Sequence, residues 1–262
     1  KNKKDKINND LILLIFEDNL EIFDFSNTKF ESTSEFNFDL SKKFRIKNLK
    51  IVTKLNLDEL ILKYDSNKIK NFIKNYNNLI NLKHNKLHIK YSKEKVLIDG
   101  SSKFYIDENF DNSINFQIKK IKNKIDFKTL LNLDKIKFSI EDIAYKKVRN
   151  QNATLLVKGF KNNKKLLFES IDYKEKNNSI VINNLEINNN KIINLGKIKF
   201  DFLSKNNFKN QINLIKKDDN YELLGKSFDS IQLIENISDS ESDKNFFEIF
   251  DNLNSNIKIL VD

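Results

Sequence analysis

Cysteine, proline, methionine and tryptophan are absent from this chain, and glycine occurs only four times. Without cysteine there is no disulfide and no thiolate metal site, and the redox compartment stays open. Neither a phosphate loop, a GxGxxG turn nor a nucleophile elbow occurs. Arginine appears twice (Arg45, Arg149) and alanine twice (Ala144, Ala153), while Asn, Lys, Ile and Phe abound, the pattern an AT-rich genome produces. The missing proline therefore says little about folding. The net charge of +10 would ordinarily suggest an anionic partner, but codon bias discounts it. The longest wholly apolar run, LILLIF at 11–16, is far short of a bilayer span, and no signal peptide is visible. With Lys first and no Met, the chain is expected to be a piece of a longer one, with any membrane anchor outside it.

What is present is alternation. KLHIKY (86–91), INFQIK (114–119), KIKFSI (135–140), KIKFDF (197–202) and NIKILV (256–261) each set apolar residues against polar ones at every second position. Such runs are strands with one apolar and one solvated face. Clusters such as EKNNS (175–179) and KKDDN (216–220) separate them as turns, since Asn and Asp tolerate left-handed backbone. The expectation is an all-β fold, a long and mostly antiparallel sheet with a few short helices. Helical spacing is confined to 65–78 (Ile69, Phe72, Ile73, Tyr76), a short stretch at 127–133, the segment around 230–237 and an ambiguous 242–253. About fifteen strands stacked at roughly 4.8 Å would extend about 70 Å. So few helices cannot cover so many apolar strand faces. The sheet must close, pack on a second sheet, or curl around something else, and the last solution is open to lipid.

No catalytic constellation emerges. His84 and His88 are four apart but fall in a strand pattern with no acidic or Cys ligand beside them, so they read as surface histidines. DSESD (239–243) alternates acids like a calcium loop, yet Lys244 stands where the loop glycine belongs and Phe250 where the terminal Glu belongs. No enzyme activity, metal or cofactor is expected. Lys and Phe alternate, which puts them on opposite strand faces, whereas a nucleic-acid platform needs both on one.

The stretch NYELLGKSFDSIQLIENI (220–237) runs strand, Gly225, then Phe228-Asp229 and a helix-like tail. It resembles a recurrent module of the AsmA-like family of bacterial envelope proteins, which includes the YhdP and TamB relatives. IAYKKVRNQNATLLVKGF (143–160) and LEINNNKIINLGKIKFDF (185–202) are similar to that family's strand pairs, and the likeness is clearest over 140–262. The near absence of small residues and the load of Lys and Asn depart from the family pattern. On this resemblance Gly225 lets the strand leave the sheet and Asp229 caps the following helix. It further implies a long, strongly curled sheet that forms an apolar groove, one continuous β-groove segment over 1–262, in a periplasmic protein tethered to the inner membrane of a Gram-negative bacterium by an N-terminal helix not contained here. The implied function is a non-enzymatic conduit carrying phospholipid toward the outer membrane, with outer-membrane components as further partners and no nucleic acid. Candidate groove residues for the acyl chains are Phe116, Ile118, Phe138, Ile140, Ile198, Phe200 and Phe202. The alternatives are a structural or adhesive β-rich surface protein and a basic nucleic-acid binder.

Overall fold

The computed structural model of the chain describes residues 2–6, 22–25, 28–65, 67–106, 110–189, 191–218, 220–231 and 257–261. The alternating runs become strands, and mostly antiparallel sheet dominates these residues, so the fold is all-β. Two compact units result, residues 1–66 with 75–131 and residues 67–74 with 132–262.

The first unit is a meander. Strands β1 (Asn2–Lys6), β3 (Lys29–Leu40), β4 (Ile46–Lys63), β5 (Leu79–Ser92), β6 (Lys95–Tyr105), β7 (Asn112–Ile121) and β8 (Lys124–Asn132) follow one another across the sheet, and β2 (Phe23–Asp24) pairs with β4. From β1 to β7 the pairings are antiparallel. Register sets Leu55, Leu87, Gly100 and Phe116 in one row and Ile89, Ile98 and Ile118 in the next, all on one face. A methyl added at Gly100 would meet a ring carbon of Phe116 at 2.2 Å, so this glycine is the seat of that ring.

In the second unit β11 (Ala153–Asn162), β12 (Lys165–Glu175), β13 (Asn178–Asn188), β14 (Lys191–Leu203), β15 (Lys209–Lys217) and β16 (Asn220–Ser227) form another antiparallel meander. The strand β17 (Ile257–Val261) joins β16 in parallel. A separate two-stranded ribbon, β9 (Phe138–Ile140) with β10 (Tyr145–Lys147), is linked by a 3-10 turn at Glu141–Ile143. The helix α1 (Asn67–Phe72) lies beside β9, and Lys74 Nζ comes within 3.8 Å of Glu141 Oε1.

Turn chemistry explains how so few glycines suffice. No glycine has positive φ, and the left-handed positions of the tight turns are held by Glu94, Lys122, Asn163, Lys176, Asn189 and Asp218. Asn and Asp adopt that conformation most readily after glycine and hold three of these six positions, with Glu or Lys at the other three. Three of the four glycines, Gly100, Gly196 and Gly225, sit at close approaches instead. Gly225 sits where the β15–β16 register slips, and an added methyl would meet Gln211 O and Ile212 Cγ2, each at 2.6 Å. Its role is therefore closeness to the neighbouring strand, two residues before β16 ends, rather than release from the sheet.

Three expectations change. The helix over 65–78 contracts to Asn67–Phe72, because Tyr76 is drawn inward to donate to Tyr64 O at 2.5 Å and Asn78 turns left-handed into β5. The stretch 127–133 is mostly strand β8 rather than helix; its short apolar run fits either period, and the sheet decides. KIKFSI contributes only Phe138–Ile140 as strand, and to the ribbon rather than the large sheet. The helix around 230–237, apart from Ser230 and Ile231, and the segment 242–253 lie outside the described residues.

Candidate functional site

Successive strands of the second unit build one apolar face. Ile171, Tyr173 and Glu175 alternate inward on β12; register then places Ile182, Ile180 and Asn178 beside them on β13. Ile198 and Phe200 follow on β14, with Phe202 beyond, and Leu214, Ile212 and Asn210 on β15. At the Glu175 end of this face the β9–β10 ribbon is seated as a lid. Tyr145 meets Phe202 edge-on at 5.3 Å between ring centroids, and Phe138 meets Tyr173 at 5.4 Å. Phe202 and Asn210 retain no exposed surface. Burying Phe202 alone is worth roughly 1.5–3 kcal/mol.

Beneath the lid is a polar centre that apolar patterning does not require. Tyr145 OH donates to Glu175 Oε2, so in its 2.8 Å contact with Tyr173 OH the proton comes from Tyr173. Asn178 Nδ2 donates to the same carboxylate oxygen at 3.1 Å, while Glu175 Oε1 is buried without a hydrogen-bond partner. Burial, then the bonds to Glu175 and Tyr173, push the Tyr145 hydroxyl far above the usual tyrosine range, and burial raises Tyr173 as well. Both are held as neutral donors. Lys147 is fully buried and satisfies its ammonium on backbone carbonyls, Ile136 O at 2.8 Å, Val148 O at 2.9 Å and Asp134 O at 3.2 Å. Desolvation lowers its proton affinity, against the attraction of Glu175 and Asp134. The lysine, spent on carbonyls beside the ribbon, fixes the lid's own segment, and the protonated tyrosines clasp the lid to Glu175 of the sheet.

The candidate groove residues divide accordingly. Phe116 and Ile118 are half-buried on β7, on the apolar face of the first unit, alternating with exposed Gln117 and Lys119. Phe138 and Ile140 belong to the lid, half-buried. Ile198, Phe200 and Phe202 are buried on β14; Tyr145 of the lid covers Phe202, which in turn packs edge-on with Phe200. Phe202 thus lines protein core rather than an open path. Gly225 is half-buried within β16 and Phe228 half-buried beyond it. Asp229 N–H donates to Asn210 Oδ1 at 2.8 Å, and Asp229 Oδ1 receives Ile231 N–H at 3.4 Å, the contact a capping residue makes. His84 is exposed in a left-handed irregularity of β5 and His88 is half-buried on it.

Lys147 and Glu175 were hidden from composition because each sits in a charged, turn-like string. The alternation carries a signal nonetheless: Glu175 continues Ile171 and Tyr173 at every second place, as Lys147 continues Tyr145. Among the described residues no helix is long and apolar enough to cross a membrane, and no group of three His, Cys, Asp or Glu is placed to hold a metal. No family model, curated protein or solved structure matches the chain.

Proposed function

We propose that the chain binds phospholipid acyl chains along the apolar face of its sheet, as a non-enzymatic segment of a conduit between two membranes. One observation carries the reading. The described part of the first unit is strands of a single sheet and their turns, so the unit supplies no described helix or second sheet of its own to cover the row Leu55, Leu87, Phe116, half-buried throughout, or the row Ile89, Ile98, Ile118, of which only Ile98 is buried. An acyl chain laid there gains about 0.8 kcal/mol for each methylene removed from water, a term that repeats along the face and favours sliding over fixed binding. The resemblance of 140–262 to AsmA-like envelope proteins supports the same function and suggests the periplasm as its place, with curling of the sheet into a groove. Of the candidates, Phe116 and Ile118 are the contacts this reading retains for the first unit; Ile198, Phe200 and Phe202 are buried, and Phe202 holds the lid through Tyr145.

The test is lipid extraction and native mass spectrometry of the purified, monodisperse protein, with Phe116→Asp beside it. Co-purified phospholipid that falls sharply in the variant supports the reading. Protein free of lipid, or lipid retained in full by a folded Phe116→Asp, overturns it.

A further inference from the structure

The loop between β3 and β4 reads SKKFR (41–45), and a second loop, SKNNF (204–208), is built the same way. In each, the serine N–H donates to the carbonyl four residues on, Arg45 O or Phe208 O, at 2.9 Å. In each, the fourth residue donates back to the serine carbonyl, Phe44 at 2.8 Å and Asn207 at 3.0 Å. The serine hydroxyl also accepts the fifth N–H, at 3.0 Å from Arg45 and 3.3 Å from Phe208. That fourth residue is left-handed in both, with φ of 55° at Phe44 and 60° at Asn207. Asn is suited to this backbone and a bulky residue is not. Phe44 is the only Phe, Tyr or Trp among the described non-glycine residues with positive φ. It is also 85% exposed, so the ring is strained by its backbone and gains nothing from burial.

The surroundings show what such a ring fits. Phe36, Phe38 and Leu40 alternate onto one face of β3, Ile46 stands opposite Leu40, and all four are exposed. Around them Lys42, Lys43, Arg45, Lys47 and Lys50 are exposed, against a single acid, Asp39, between 39 and 50. An apolar tip ringed by cations matches an interface whose outer layer is anionic and whose inner layer is hydrocarbon.

We propose that this hairpin tip docks on an anionic lipid bilayer, with Phe44 entering the headgroup boundary and Lys42, Lys43, Arg45 and Lys47 on the phosphates. Single-stranded nucleic acid would use the same cations and rings, but it has no use for aliphatic Leu40 and Ile46 beside them. The proposal concerns a membrane surface rather than an acyl chain on the sheet, and it stands or falls apart from the function proposed above.

Vesicle flotation tests it, with phosphatidylcholine alone and with phosphatidylcholine mixed with phosphatidylglycerol. Wild type should float with the anionic vesicles and release as salt is raised. Phe44→Asn, which takes the residue of the sister loop and so keeps the turn, should weaken partitioning about tenfold or more. Lys42→Ser and Lys43→Ser should each weaken it about fivefold. The chain has no tryptophan, so Phe44→Trp gives a lone reporter whose emission should shift blue on the anionic vesicles. Lys164→Ser, at an exposed lysine of the turn between β11 and β12, should leave flotation unchanged. The proposal is overturned by absence of flotation, by full flotation of folded Phe44→Asn, by equal loss of flotation in Lys164→Ser, or by a single-stranded oligonucleotide that binds the tip more tightly than vesicles do.

Discussion

Tyr145 divides a single hydroxyl between a carboxylate and a second tyrosine, and the cost of removing it follows from that arrangement. Tyr145→Phe leaves the ring packing against Phe202 but takes the donor from a buried Glu175 that already has one unpartnered oxygen. We expect a loss of about 1–3 kcal/mol in urea unfolding. The same residues set the alkaline limb. Folded Tyr145 and Tyr173 hold their protons more tightly than the unfolded chain does. Their stabilisation is complete below the ordinary tyrosine range, near 10, and is lost as pH rises above it. Unfolding free energy measured against pH should fall there, and fall less steeply in Tyr145→Phe. Asp201 works in the opposite sense. The bond from Lys209, aided by Gln211 Nε2 at 3.3 Å, holds its carboxyl below the usual range. That contribution is present above the ordinary carboxylate range and lost as pH falls through it, so Asp201→Asn should flatten the acid limb of the same curve.

At the scale of the element, two glycines and two phenylalanines separate rigid from yielding surroundings. A methyl at Gly225 collides with a backbone carbonyl of β15, which the sheet holds in place; one at Gly100 collides with the far end of the Phe116 ring, which swings aside. Gly225→Ala should cost about 1–3 kcal/mol and Gly100→Ala less, by thermal unfolding, with equal losses counting against this account of the bulge. Phe202→Asp puts an unpaired carboxylate beneath the lid and should cost several kcal/mol, enough to unfold the second unit. Phe116→Asp falls on a half-buried face and should leave the melting temperature close to wild type. Alternation made β7 and β14 readable before any coordinates, because a half-buried strand can satisfy its two faces in no other way. The lid was not readable. KIKFSI alternates as well as KIKFDF does, but the period reports that a strand has two faces and is silent on which strand it pairs with. Nor does a single chain show that a lysine is buried when three carbonyls, not an acid, receive it.

On the scale of the whole molecule, the described strands of each meander pair with their neighbours along the chain, apart from the crossings from β1 to β3 and from β2 to β4, and the pairings described are antiparallel except that of β17 on β16. Such an order is built almost wholly from hairpins. Apart from the connection 64–78 between β4 and β5, which carries α1, these hairpins close short loops, whose entropy cost is small, before the next strand is needed. Sheet of this kind need not wait for its last strand: it grows from whichever hairpin forms first and extends by one neighbour at a time, as repeat arrays do. The lid is the exception, since Tyr145 reaches Glu175 across thirty positions of chain and its ring rests on Phe202 of β14. It therefore docks only after β12 and β14 are in place. During synthesis the growing edge of the sheet would stand unpaired for the time taken to make one more strand, and the lysines distributed along these strands are the charge that keeps such an edge from recruiting another chain.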